Sequence, residues 1–296
     1  MHLKKYIQLK TNMKKFLSNI LYIGLCAVIL ISIACFVKIN KVYKLEKKNY
    51  KINDQIRTKF SMKDNIFRVN NVQFYLPNYP ADYVQSEIAD KSGFYEQNEL
   101  ELFDRYLPEN AVILDIGANI GNHTLYWLTT SPKRAKYIYA FEVIDETYEI
   151  LKKNIALNGL QNKTTLFHFG LGANNTTASI SSMRFNNIGA TSIQEDKNGK
   201  FQIRKLDDVK LNHKIDFVKI DVEGFEINVI NGAKKFLTKD KPLIWVELWD
   251  ETGHGDQRFK VGNKAEYNEL MDELGYEMIL QLDERNFVYQ HKSKIK

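Results

Sequence analysis

Residues 112–121 constrain this chain more than any other stretch: Val-Ile-Leu-Asp-Ile-Gly-Ala-Asn-Ile-Gly. The apolar run from Ala111 to Leu114 is too short for a helix. It leads into Asp115 and a glycine-rich turn, and Asn122 to Leu128 then has helical character. A short, wholly apolar strand that enters such a turn and leaves it as a helix is the first βα unit of a parallel sheet. Gly117 and Gly121 allow positive φ and close approach by a ligand. The following helix points its free N–H groups at whatever occupies the turn.

A dinucleotide fingerprint would place a second glycine where this chain has Asn119. The next strand, Ala135 to Phe141, ends in Glu142, 25 residues beyond Gly117. An acid at the tip of a second strand can accept both hydroxyls of a ribose, and the distance is close to the roughly 20 residues usual for such a carboxylate. The pattern suits adenosine without a pyrophosphate better than NAD.

Charge is unevenly spread. Residues 1–60 hold 13 Lys and Arg against 2 acidic residues, whereas the remainder holds 29 against 34. The globular part is mildly acidic, which argues against nucleic acid as its main partner. Residues 16–37 carry no charge, and 22 residues of helix span about 33 Å, enough for a bilayer core. A cleaved signal has a shorter apolar region, so a single uncleaved transmembrane helix is expected. Basic tail 1–15 precedes it and Lys-rich linker 38–65 follows it. Both flanks are basic, so orientation is open. Both cysteines, Cys26 and Cys35, lie within the span, leaving the soluble part without a disulfide. Asn122-His-Thr is a glycosylation sequon inside the proposed ligand turn, which favours a cytosolic domain.

The remaining chain, 66–296, reads as one α/β domain. A small hairpin is expected over Ile66 to Leu76 and a helix over Glu96 to Tyr106. After strand two come a helix from Glu146 to Leu157 and a third strand from Thr164 to Phe169. Residues 173–204, rich in Asn, Thr and Ser, read as an irregular insertion with a hairpin. Asp216 to Ile220 is strand four, followed by a helix from Ile227 to Leu237. Pro242 to Leu248 is strand five, and a helix from Lys264 to Leu274 leads to a terminal hairpin over Glu277 to Gln290. Strands alternating with helices imply a doubly wound, mostly parallel sheet with an antiparallel strand near one edge.

Taken together, residues 112–121, Tyr139-Ala-Phe-Glu142, Leu206-Asp-Asp208, Asp216-Phe-Val-Lys-Ile-Asp-Val-Glu-Gly-Phe-Glu226, Asn231-Gly-Ala233 and Val246-Glu247 resemble the FkbM family of S-adenosylmethionine-dependent methyltransferases, over roughly Phe74 to Glu247. The resemblance implies the seven-stranded class I methyltransferase (Rossmann-like) fold and O-methylation of sugars, glycans or polyketide-type products. It implies that Asp115, Gly117, Ala118, Asn119 and Gly121 cradle the cofactor, that Glu142 holds its ribose, that His168 to Gly170 lie beside its adenine, and that Glu96 closes over it. The membrane span is not part of the family core.

Methyl transfer from a sulfonium is an in-line displacement helped by positioning and by a group that takes the acceptor's proton. Asp221 and Glu223 stand at the carboxyl end of strand four, where an open α/β sheet places its ligands. They are the expected catalytic residues, with Asp221 as base or substrate ligand. Glu247 ends the neighbouring strand, and paired carboxylates there share a proton or bind Mg²⁺. Asn187, Gly189, Glu247 and His254 are candidate substrate contacts. Glu226 is expected to cap the Gly224 turn, and Lys219 to form a structural ion pair. No Cys/His spacing suggests zinc. The expected protein is a membrane-anchored O-methyltransferase acting on a sugar, glycan or lipid-linked hydroxyl. A non-catalytic tethered module with a degenerate fold is the alternative, and an NAD-linked oxidoreductase is disfavoured by Asn119.

Overall fold

The structure is a computed structural model that describes residues 65–248 and 264–295, together with Lys38 and Lys41. The chain divides into two compact units, Met1–Met62 and Lys63–Lys296, and the second carries the fold described below. The expected span 16–37 and the segment 249–263 with His254 lie outside the described residues. Among the described residues, no helix is long and apolar enough to cross a membrane.

The central sheet has seven strands, β3 (Val112–Ile116), β4 (Tyr137–Phe141), β5 (Thr164–Phe167), β10 (Phe217–Ile220), β11 (Leu243–Glu247), β12 (Tyr276–Gln281) and β13 (Asn286–His291), in the order β12-β13-β11-β10-β3-β4-β5. The five strands from β11 to β5 run parallel, and β13 joins β11 antiparallel. All residues of β3, β10 and β11 are buried, as expected for strands covered on both faces. Chain order reverses between β3 and β10, so their carboxyl ends open the crevice where such sheets take ligands.

Helix α3 (Asn122–Thr129) follows β3, and α4 (Asp145–Leu157) follows β4. The latter buries Thr147, Ile150, Leu151, Asn154 and Ile155 at helical spacing and starts on two acids, Asp145 and Glu146, that suit its N-terminal dipole. The expected helix over 227–237 is two helices, α5 (Glu226–Asn231) and α6 (Lys234–Asp240). Gly232 lies between them because a Cβ there would sit 1.9 Å from the carbonyl oxygen of Gly172. Asp207 supports the restart, accepting from the N–H groups of Lys235 and Phe236. Helix α7 (Lys264–Glu273) precedes the terminal hairpin β12–β13.

Before β3 the chain forms a hairpin, β1 (Ile66–Val69) with β2 (Val72–Tyr75), and two helices, α1 (Tyr83–Lys91) and α2 (Gln97–Phe103). The first of these helices was not anticipated. Asp82 makes its N-cap, accepting from the N–H of Gln85. The second is shorter than the expected 96–106, because Glu96 takes a left-handed conformation with φ of 55°.

Residues 173–204 are more regular than expected. Two nine-residue strands, β7 (Thr176–Arg184) and β8 (Asn187–Glu195), form a long antiparallel hairpin. With β6 (Gly170–Leu171) and β9 (Phe201–Arg204) they make a second sheet, ordered β6-β9-β7-β8. Threonine-rich sequence suits strands, and apolar residues brace this sheet: Ala178, Phe201 and Ile203 pack with Ile144 and Phe225 of the main fold.

Candidate active site

The turn after β3 owes its shape to two glycines in left-handed conformations, Gly117 at φ of 82° and Gly121 at 88°. A Cβ on Gly117 would meet the backbone oxygen of Asp221 at 1.7 Å, so this position lets the tips of β3 and β10 touch. Asn119 is also left-handed, a conformation Asn tolerates better than most residues. Its N–H donates to Glu142 Oε2 at 2.8 Å, and the N–H of Ile144 donates to Oε1 at 2.8 Å. Glu142 is thus fixed by backbone at the tip of β4. Burial raises its carboxyl above the ordinary value, against the lowering effect of those N–H donors.

These residues line a cavity of about 400 Å³, within the roughly 300–1,000 Å³ range of small-molecule sites. Eleven of the sequence-derived candidates stand on its wall: Glu96, Gly117, Asn119, Glu142, Phe169, Gly170, Asn187, Gly189, Asp221, Glu223 and Glu247. Asp115, Ala118 and Gly121 stand behind it. Asp115 is wholly buried, and its Oδ2 accepts from the Thr124 hydroxyl at 2.6 Å, tying β3 to α3. The N–H of Ala118 donates to the carbonyl of Phe141, and Gly121 is the N-cap of α3. These three shape the turn rather than face a ligand. His254 lies outside the described residues.

The insertion forms one wall. Gly189 on β8 packs against the turn after β3, where a Cβ would meet Asn119 Nδ2 at 2.1 Å. The tip of the β7–β8 hairpin is fastened to the start of α1: the N–H of Tyr83 donates to the carbonyl of Asn186, and the N–H of Ile188 donates to Asp82 Oδ2. Opposite, Asn122 holds the loop before α2 by accepting from the N–H of Tyr95 and donating to its carbonyl. Asn122 is only 4% exposed, so the folded chain hides the sequon that seemed to report on compartment. Glu96 in that loop pairs with His123 Nε2 at 3.2 Å.

The second half of the cavity is ionic. Lys219 is 1% exposed within β10, and its Nζ pairs with Asp221 Oδ2 at 3.0 Å. Burial favours the neutral amine, but the surrounding carboxylates, Asp221 first, outweigh it and hold the lysine above its ordinary pKa. Burial likewise pushes Asp221 up, yet the Lys219 ammonium prevails and keeps that carboxyl below its ordinary value. Its neighbours go the other way. Burial, then Asp221 and Glu226, push Glu223 up to about 8, and burial pushes Glu226 up to about 7. Glu247 is raised well above the carboxylate range by burial, then by Asp221 and Glu223. Glu226 accepts from the N–H of Gly224 at 2.9 Å, the capping expected of it. Among the described residues, no group of three or more His, Cys, Asp or Glu is placed to hold a metal ion.

Among the wall residues that sequence reasoning missed are Tyr83, Tyr95, Arg184 and Arg285. They come from a helix start, a loop and two hairpin tips, which carry no motif. Only the turn Asp283-Glu-Arg285 hinted at the last of them.

Comparison with known proteins decides the family: the methyltransferase FkbM domain matches residues 115–289. The chain belongs to the FkbM methyltransferase family. Methyltransferase sdnD of Sordaria araneosa is 28% identical over 184 residues, covering 50% of this chain and 70% of that protein. Methyltransferase 1 of Beauveria bassiana (strain ARSEF 2860) is 26% identical over 171 residues, covering 49% and 68%. A crystal structure of a methyltransferase FkbM from Methylobacillus flagellatus KT aligns with a TM-score of 0.43 and 16% identity, over 62% of this chain and 44% of that one. This FkbM methyltransferase is S-adenosylmethionine-dependent, with a class I-like α/β fold. Its cavity suits that cofactor: a fixed carboxylate at the tip of β4, glycine backbone at the tip of β3, and an apolar wall of Ile144, Phe169 and Leu171.

Proposed function

We propose that this FkbM methyltransferase transfers its methyl group to a hydroxyl of a sugar, glycan or lipid-linked sugar, and that Asp221 takes the proton released. The observation that carries the reading is Asp221 itself. It stands on the same cavity wall as the turn at Gly117, its side chain is 25% exposed into that space, and Lys219 beneath it keeps it ionised. S-adenosylmethionine, when bound, would supply an electrophilic methyl group, and Glu142, the Gly117 turn and Phe169 are the residues that would hold the cofactor. Asp221 accepts the acceptor's hydroxyl proton, and its exposure gives that proton a way out to solvent. Tyr83 and Tyr95, edge to face with ring centroids 6.1 Å apart, offer an aromatic surface for a sugar ring, while Glu223, Asn187 and Arg184 supply hydrogen-bonding groups.

The test is Asp221→Asn. Turnover should fall by about 10²–10⁴-fold, while cofactor affinity by calorimetry stays within threefold and shows that the variant is folded. Unchanged turnover would remove Asp221 from the role. Absence of S-adenosylmethionine binding in the wild-type chain would instead favour a non-catalytic tethered module.

The uncharged stretch 16–37 supports a single-pass membrane protein, and we propose that the catalytic domain faces the cytosol. In sealed vesicles with the cytosolic face outward, external protease should digest the C-terminal domain; protection would place it on the other side.

A further inference from the structure

Phe185 breaks the rule of its own turn. It takes the first position of the two-residue turn between β7 and β8, closed by the cross-strand pair Arg184 and Asn187, where Gly, Asn or Asp is usual. Its side chain is 89% exposed, and Met183 on the same hairpin end and Tyr83 beside it are exposed as well. The turn is not free to fold back and hide the ring. The N–H of Tyr83 donates to the Asn186 carbonyl at 2.7 Å, and the N–H of Ile188 donates to Asp82 Oδ2 at 2.9 Å, so the tip is pinned to the start of α1. Arg184 and Asn186, on either side of Phe185, line the cavity. The apolar tip is therefore part of the rim of the cavity mouth.

The chain enters the domain at this same end. The Asn65 carbonyl accepts from the N–H of Leu76 at 2.8 Å. Two residues on, Asn78 Nδ2 donates to Glu146 Oε1 in the first turn of α4, just past the tip of β4 and Glu142. The Asn78 carbonyl accepts from the N–H of Asp82 at 2.9 Å. One strip of hydrogen-bonded backbone thus leads from the entry point to Tyr83 and the hairpin tip. The 28 residues 38–65 precede it, and before them stands the uncharged stretch 16–37. Fully extended, 28 residues reach about 100 Å.

We propose that Met183, Phe185 and Tyr83 dock the domain on the interfacial layer of a phospholipid bilayer, so that the cavity mouth opens at headgroup level. The proposal rests on the reading of 16–37 as a membrane span. The Phe185 ring sits among the upper acyl chains, while Arg184 and the Tyr83 hydroxyl keep their polar ends among the headgroups. One aromatic side chain cannot hold a domain on a bilayer unaided. A tether makes the contact intramolecular and raises its effective concentration. The span keeps a bilayer in reach at all times, whereas a second copy of the chain must be met by diffusion. A lipid-linked sugar presents its hydroxyls at the level where this orientation puts the cavity mouth.

The full chain carrying Phe185→Trp, reconstituted into phosphatidylcholine vesicles, tests this without an acceptor. The unsubstituted chain supplies the tryptophan background. The added emission should shift to the blue, resist aqueous iodide and be lost when the lipid is brominated in its upper acyl chains. Lys163→Trp, on an exposed residue just before β5 and so at the opposite end of the sheet, should stay open to iodide and unquenched by brominated lipid. Equal lipid quenching of both variants would overturn the proposal, because the domain would then have no preferred face. Emission at Phe185→Trp that resists iodide but ignores brominated lipid would show a second copy on the tip and overturn it too. Flotation separates the two failures. A chain that does not float with the vesicles removes the span and the docking together, whereas one that floats with its tip unquenched by lipid removes the docking alone.

Discussion

The two ends of the cavity are built on opposite principles. The end proposed for the cofactor is made of backbone: two left-handed glycines, a left-handed Asn119, and a Glu142 whose oxygens each accept one N–H. The end proposed for the acceptor is made of charge, with Asp221, Glu223 and Glu247 crowded around a buried lysine and a half-exposed arginine. Backbone geometry fixes a shape that does not depend on pH. A cluster of carboxyls fixes a protonation pattern that does. One end is suited to an invariant ligand and the other to a reaction that releases a proton.

The comparison breaks most completely where the ends touch. Gly117→Ala would put a Cβ 1.7 Å from the Asp221 carbonyl oxygen. Left-handed backbone alone costs an alanine about 1–2 kcal/mol, and the clash adds to it. Cofactor affinity and thermal midpoint should both drop, binding by at least about 30-fold, and calorimetry with a melting curve would show it. Normal binding would mean that the tips of β3 and β10 separate freely.

Glu142→Ala confines the damage to the cofactor end. It strips the N–H groups of Asn119 and Ile144 of their acceptor and removes the carboxylate proposed to hold the cofactor's ribose. Affinity for S-adenosylmethionine should weaken tenfold or more, about 1.4 kcal/mol. Because burial raises Glu142 above its ordinary value, the variant should also lose one contribution to the decline of stability with rising pH.

The carboxyl cluster at the other end contributes to that dependence as well. Glu223 and Glu226 are raised from 4.5 to about 8 and about 7 by burial first. Between those values the folded chain holds protons that the unfolded chain has released, so stability is full below pH 4.5 and is lost as pH rises through 7 and 8. The thermal midpoint should decline from pH 5 to pH 9. Glu223→Gln should flatten the upper part of that decline without altering cofactor affinity, and an equally steep decline would deny Glu223 its part.

The same contrast governs what could be read from the sequence. The cofactor end lies within one βα unit and the tip of the next strand, so its glycines, Asn119 and Glu142 follow one another at short spacing. The mostly parallel sheet and the acids at the tips of β10 and β11 were legible for the same reason, since such a sheet gathers its ligand groups at the carboxyl ends of the strands. Asp115 looked like a ligand because it occupies the strand tip, but only tertiary packing could show it turned to Thr124 and buried. Arg184, Arg285, Tyr83 and Tyr95 reach the cavity from hairpins and loops whose course depends on long-range contacts. The fastening of Asn186 to Tyr83 joins residues 103 apart in sequence.

The insertion is where the comparison can be sharpened with least disturbance. Gly189 touches the cofactor turn only through the Asn119 side chain, which can turn aside, whereas Gly117 touches rigid backbone. Gly189→Ala should therefore weaken cofactor binding by only about threefold, under 1 kcal/mol. If β8 merely covers the turn, a second substitution, Asn119→Gly, removes the obstructing side chain and restores the Gly189→Ala loss. If the Asn119 side chain itself binds the cofactor, the double variant binds more weakly still. Calorimetry on the two single variants and the double one separates a wall that excludes water from a wall that contributes a ligand.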